Sequence, residues 1–156
     1  MRLLSLIAVV VFVVDQATKY AVVVGMDLQN RLAIDVWPPF LNFRMAWNRG
    51  VNFGLMANDA DLMRWVLVGV AGAISLGVLI WLRRTPQPPL AMASAGVLVG
   101  GALGNMVDRI VWGAVADFLN MSCCGINNPF SFNVADIAIF AGALGLILFT
   151  PGNKTP

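Results

Sequence analysis

The sequence predicts an all-α membrane protein, a four-transmembrane-helix bundle carrying a small β-rich extracytoplasmic lobe. Three observations lead there. Hydrophobic residues make up 59% of the 156-residue chain against 12% charged, with a mean hydropathy of +0.80, outside the range of an ordinary water-exposed domain. The apolar residues fall in four runs, each near the length that crosses a hydrocarbon core of about 30 Å at about 1.5 Å per residue. Between the first two runs lies one longer polar stretch with aromatics and turn residues. The length suits one domain, residues 1–156, with spans at about 3–24, 62–82, 90–112 and 131–150 and the lobe at about 25–61.

The first run, Leu3 to about Val24, follows Arg2. A cleaved signal has an apolar core of about 7–15 residues and then a small-residue cleavage site. Here apolar character resumes after Asp15 and Lys19 without such a site, so the span is expected to be retained. Asp15 and Lys19 are four apart and share a helical face. Either alone would cost about 2.5–3.5 kcal/mol at the bilayer centre. They are either a mutually neutralised pair that orients the helix or the border of a polar site.

Gly25 to Asp61 has a different texture. Trp37-Pro38-Pro39 breaks any helix, and Phe40 to Asn48 partly alternates, as a half-exposed strand does. Asn48-Arg49-Gly50 can turn the chain, and Val51-Asn52-Phe53-Gly54 suits a second short strand. Trp37, Phe40, Phe43, Trp47 and Phe53 fit a membrane–water interface, as anchors or as substrate contacts. Asn58 to Asp61 offers helix-starting residues for the second span, Leu62 to Leu82, which Arg83-Arg84 closes. Thr85-Pro86-Gln87-Pro88-Pro89 is a short stiff connector, so the second and third spans should be antiparallel neighbours.

In the third span, Leu90 to about Trp112, Gly96, Gly100 and Gly104 recur every four residues, a stripe that lets another helix approach closely. Asn105, Asp108 and Arg109 gather near its end, with Asp108 read as a structural acid paired with Arg109. The fourth run, Val134 to Phe149, reaches spanning length only if it begins near Phe130, and Pro151-Gly152 ends it. Arg2, Arg83, Arg84 and Lys154 fall on one face, which makes that face and both termini cytoplasmic. Arg31, Arg44, Arg49 and Arg64 lie opposite, mixed with acids.

The composition also excludes functions. A net charge of +2 with scattered basic residues gives no nucleic-acid footprint. The chain has no histidine and no glutamate, so Ser-His-Asp and Cys-His catalysis are ruled out and a zinc site would lack imidazole. No metal and no cofactor are expected. Adjacent Cys123 and Cys124 could form only a strained ring disulfide and read as packing residues or membrane-facing thiols. Acid–base work is left to aspartates, Lys19, Tyr20 or the cysteines.

Among the aspartates, one pair stands out. The third span leaves the membrane on the face where the fourth returns, so Asp117 and Asp136, 19 positions apart, lie at the same depth. Two carboxylates that meet in a low-dielectric setting share a proton, which makes one a base and the other an acid. That is the chemistry of aspartic proteolysis. Asp136 has a plainer role too, as the third residue of a helix capped by Asn133. Asp117 would sit just past a helix C-terminus, where the dipole disfavours an anion, or be a solvated loop acid. A non-catalytic helical bundle using Asp15, Lys19 and Asp108 as a polar relay is the alternative, but a relay would line its charges through the membrane.

Five blocks occur in one order: Asp15-Gln16-Ala17-Thr18-Lys19, Asn48-Arg49-Gly50-Val51-Asn52-Phe53-Gly54, the run Gly100-Gly101-Ala102-Leu103-Gly104-Asn105-Met106-Val107-Asp108-Arg109, Val115-Ala116-Asp117-Phe118, and Phe132-Asn133-Val134-Ala135-Asp136. Together they cover almost the whole chain, which closely resembles the lipoprotein signal peptidases (signal peptidase II), membrane aspartyl peptidases of bacteria. The resemblance implies that Asp117 and Asp136 are the catalytic pair, with Asn133 as hydrogen-bonding support. It implies that Asp15, Lys19, Asn48, Gly50, Gly101, Gly104, Asn105, Arg109 and Ala135 shape the pocket or hold substrate. The implied substrate is a diacylglyceryl-modified prolipoprotein, cut on the amino side of its lipidated cysteine by a monomer in the lipid of the cytoplasmic (inner) membrane, with the active site at the extracytoplasmic face. Asn52, where the family commonly has a small apolar residue, and Asn120 to Pro129 depart from the family pattern.

Overall fold

The structure, a computed structural model, describes residues 1–50 and 60–151. Its helices are α1 (Arg2–Lys19), the short α2 (Leu28–Arg31), α3 (Ala60–Arg84), α4 (Pro89–Trp112) and α5 (Val134–Phe149), and its strands are β1 (Ala33–Trp37), β2 (Leu41–Asn48) and β3 (Val115–Asn120). Among the described residues three helical stretches, Arg2–Gly25, Asp61–Arg84 and Pro89–Trp112, are long and apolar enough to cross a membrane. The 16-residue α5 is shorter, about 24 Å at 1.5 Å per residue. The run expected over 131–150 becomes helical only at Val134, because Asn133 is its N-cap.

Helix α4 is the centre of the bundle, packed by α1, α5 and α3. The glycine stripe explains the α1 contact. A Cβ at Gly96 would come within 2.7 Å of the Leu4 carbonyl oxygen, one at Gly100 within 2.6 Å of that of Ala8, and one at Gly104 would strike the Asp15 carboxylate. Gly101 faces the other way, where a Cβ would lie 2.6 Å from the Ala135 carbonyl oxygen, and Gly142 of α5 approaches the Leu98 nitrogen as closely. Small residues on two faces thus let α4 touch two backbones at once. Helix α3 packs against α4 after the Pro-rich connector but keeps most of its side chains exposed.

The lobe is a three-stranded antiparallel sheet in the order β1-β2-β3. Strand β2 occupies the expected position, but its partner β3 comes from beyond α4, where the sequence suggested a loop acid past a helix end. The register sets Ala46 opposite Asp117 and Trp47 opposite Ala116. Val115 to Phe118 are all buried, so no apolar–polar alternation marks the strand. The expected strand Val51 to Gly54, the helix-starting Asn58 and Asp59, and the aromatic Phe53 lie outside the described residues.

The lobe's core joins Val22, Val23, Leu28, Ala116 and Phe118. Phe43 packs edge-on against Phe118 with ring centroids 5.8 Å apart, so it is a core residue and not an interfacial anchor, whereas Trp37, Phe40 and Trp47 are exposed. Val22 and Val23 arrive on a π-helical turn, Tyr20–Gly25, that continues α1 immediately after Lys19. Cys123 and Cys124 are free and exposed, which removes the packing role expected of them.

Candidate active site

The C-terminal end of α4, strand β3 and the N-terminus of α5 converge on Asn133, which is fully buried. Asn133 Oδ1 accepts the Asp136 N–H at 2.9 Å, and Asn133 N–H donates to Asp136 Oδ2 at 3.2 Å, a reciprocal capping box. The same side chain donates through Nδ2 to Asp117 Oδ1 at 2.6 Å. One asparagine therefore starts α5 and joins the two carboxylates that 19 positions separate. The helix-capping role of Asp136 and its meeting with Asp117 coexist.

The remaining oxygens are held by amides as well. Asn48, at the end of β2, donates to Asp117 Oδ2 at 3.0 Å, and its own Oδ1 accepts the Gly50 N–H at 2.9 Å. That Asx-type turn needs φ +79° at Gly50, a conformation a residue with Cβ rarely adopts. Asn105 donates to Asp136 Oδ1 at 2.8 Å. Among the described residues no cation forms an ion pair with either acid. Burial, and then the charge of Asp136, push the Asp117 carboxyl up from 3.8 to about 6, against the opposing pull of the Asn48 and Asn133 hydrogen bonds and of Lys19.

Behind this pair lies a second polar cluster. Lys19 Nζ is 2.8 Å from Asp15 Oδ2 and 2.8 Å from Asp108 Oδ2 and donates to Asn105 Oδ1 at 3.2 Å. Gln16 Nε2 donates to Asp15 at 3.1 Å and to Asp108 at 3.0 Å. The partner of Asp108 is thus Lys19 and not the expected Arg109, because consecutive helical residues do not face each other. Asp15 and Lys19 do neutralise each other, and they also border the site through Asn105. A relay reading gains nothing here, since these charges close on one another.

Arg109 donates to the Asn105 carbonyl at 3.3 Å, and its buried Nε has no hydrogen-bond partner among the described residues. It feels the charges of Asp117, Asp136 and Asp108 without pairing with any. Gly101 and Gly104 provide close packing, and Ala135 is fully buried beneath them. Sequence reasoning missed Gln16 as a bridge between acids and Ala116 as a hydrogen-bonding residue. Gln16 stands within a motif block, but Ala116 acts through its main-chain N–H, which leaves no trace in residue type. A cleft of about 410 Å³ at the ends of β2 and α4 is lined by Trp47, Arg49, Asp61, Trp112, Gly113 and Ala114, and neither Asp117 nor Asp136 lines it. Trp47 and Trp112 stack there, with centroids 5.6 Å apart.

An apolar helical bundle in which two carboxylates joined by one asparagine lie where helix ends meet a small sheet has the make-up of an integral membrane protein with a polar site at one end. The comparisons with known proteins give the class its particular form. The family described as Signal peptidase (SPase) II matches residues 7–150. The lipoprotein signal peptidase of Methylorubrum extorquens (strain PA1) is 43% identical over 146 residues, covering 91% of this chain and 82% of the relative. That of Rhodopseudomonas palustris is 33% identical over 162 residues, 99% of this chain and 98% of the relative. A solved bacterial membrane enzyme superposes with a TM-score of 0.77 at 28% identity, over 92% of this chain and 88% of its own. The chain belongs to the signal peptidase II family and is a peptide hydrolase of the membrane.

Proposed function

We propose that the protein removes the signal peptide from diacylglyceryl-modified prolipoproteins, cutting on the amino side of the lipidated cysteine, with Asp117 and Asp136 as the catalytic pair. The observation that carries the assignment is the meeting of these two carboxylates on Asn133, with no ion pair to either among the described residues. One carboxylate removes a proton from water as it attacks the scissile carbonyl, and the other protonates or polarises the carbonyl oxygen. The roles then exchange to release the amine. Burial and the neighbouring charge of Asp136 raise the Asp117 carboxyl to about 6, which puts its protonation within reach of the working pH range of an acid–base group.

Arg109, with donors to spare, binds a substrate carbonyl or stabilises developing negative charge. Asn48 and Gly50 form the edge along which the peptide lies. In this reading α5 is the fourth crossing, both termini are cytoplasmic, and the lobe rests on the extracytoplasmic face of the bacterial inner membrane. The exposed Trp37 and Phe40 then sit at the interface, the acyl chains stay in lipid, and the protein works as a monomer.

Purified protein incubated with one diacylglyceryl-modified precursor should produce the gel shift of signal-peptide loss. Asp117→Asn and Asp136→Asn should insert normally and not cleave. Full processing by either variant would remove the catalytic assignment.

A further inference from the structure

The Asp15–Lys19–Asp108 cluster has no part in the chemistry above, yet it touches both halves of the acid pair. An ammonium has three donors and no acceptor. Those of buried Lys19 face Asp15, Asp108 and Asn105. Each acid also accepts a main-chain N–H, Asp108 from Ala116 at 3.2 Å and Asp15 from Ala135 at 2.9 Å. Those alanines are the residues immediately before Asp117 and Asp136.

The third contact reaches the pair by another route. Lys19 Nζ and Asn133 Nδ2 both donate to Asn105 Oδ1, at 3.2 and 3.3 Å, which leaves Asn105 Nδ2 to donate to Asp136 Oδ1 at 2.8 Å. Neutralising Asp15 needs only Lys19. The second acid gives the buried cluster a formal charge of −1, an added desolvation cost that charge balance does not require. What Asp108 adds is a hold on β3.

We propose that Lys19 is a positioning residue that sets the separation and orientation of Asp117 and Asp136. It acts through Asp108 and Ala116 on one side, through Asp15 and Ala135 on the other, and through the Asn105 amide between them. The inference rests on these two aspartates being the reacting groups.

Lys19→Met, Lys19→Arg and the double variant Lys19→Met/Asp108→Asn test it in steady-state cleavage of a diacylglyceryl-modified precursor. The double variant keeps the cluster's formal charge, one carboxylate in place of two carboxylates and an ammonium, and so guards against misfolding. Thermal melting in detergent reports the fold. The expected result is a fall in kcat of about 10²-fold in the Met variants, the loss that follows a misplacement of about 1 Å, with KM little changed. Lys19→Arg, which keeps charge and donors, should restore much of the rate. The Lys19 charge also draws the Asp117 carboxyl downward, against Asp136 and alongside Arg109, so the Asp117 limb of the pH profile should move to higher pH in Lys19→Met.

A folded double variant with wild-type kcat and pH profile, measured beside an inactive Asp117→Asn, overturns the positioning role and leaves the catalytic pair intact. Cleavage by Asp117→Asn itself would instead overturn the reading on which the inference rests.

Discussion

Two groups of carboxylates lie next to each other at one end of this bundle, and their surroundings differ in kind. Asp15 and Asp108 meet a lysine at 2.8 Å each and are sealed between helices. Among the described residues, the hydrogen-bond partners of Asp117 and Asp136 are neutral amides and main-chain N–H groups. The first arrangement favours the charged form and holds it still. The second supplies hydrogen bonds without a paired counter-charge, so burial and the charge of Asp136 raise the Asp117 carboxyl to about 6. The difference between a brace and the proposed catalytic pair lies in the partner and not in the aspartate.

The largest effect that would break this contrast is on catalysis. Asp117→Asn or Asp136→Asn should lower cleavage by at least about 10²–10⁴-fold, the range for loss of a general acid or base, measured as precursor turnover by inserted protein. Asp108→Ala should act on the fold as well, since removing one partner of a buried ion pair costs about 3–5 kcal/mol. Its melting temperature in detergent should fall well below that of Asp117→Asn.

The contrast sharpens with pH. The Asp117 carboxyl titrates at about 6 in the fold against 3.8 for the free group. Its stabilising contribution is therefore complete below 3.8 and is lost as pH rises through about 6. An asparagine does not ionise, so Asp117→Asn should be more stable than wild type at pH 8, by about 1–2 kcal/mol after allowing for its hydrogen bonds to the charged form. The two should converge near pH 3, as melting across pH would show.

The smallest effects separate the helices that carry these groups. Gly100→Ala drives a methyl toward the Ala8 carbonyl oxygen at 2.6 Å and should cost about 1–3 kcal/mol. Gly77→Ala on α3 meets nothing within 4 Å and should stay within about 0.5 kcal/mol of wild type. Denaturation of the two variants in parallel is the check.

Much of this was legible in residue types. Glycines every four positions announced the contact of α4 with α1, and Asn133 three before Asp136 announced the cap. The absence of histidine and glutamate narrowed the acid–base candidates to aspartates, Lys19, Tyr20 and the cysteines. What stayed hidden depends on main-chain geometry or on partners far apart in sequence. Strand β3 is buried from Val115 to Phe118 and shows no period of two there, and Ala116 donates only a backbone N–H. The lysine that pairs with Asp108 is 89 positions away, while a tempting arginine stands next to it and faces elsewhere.

The double duty of Asn133 bears on how the molecule is assembled. Its amide can grip Asp117 in this geometry only once the first turn of α5 has formed around it. A chain whose last helix has not yet docked leaves Asp117 and Asp136 without the asparagine that joins them. On the proposed assignment, cleavage therefore waits on the docking of α5.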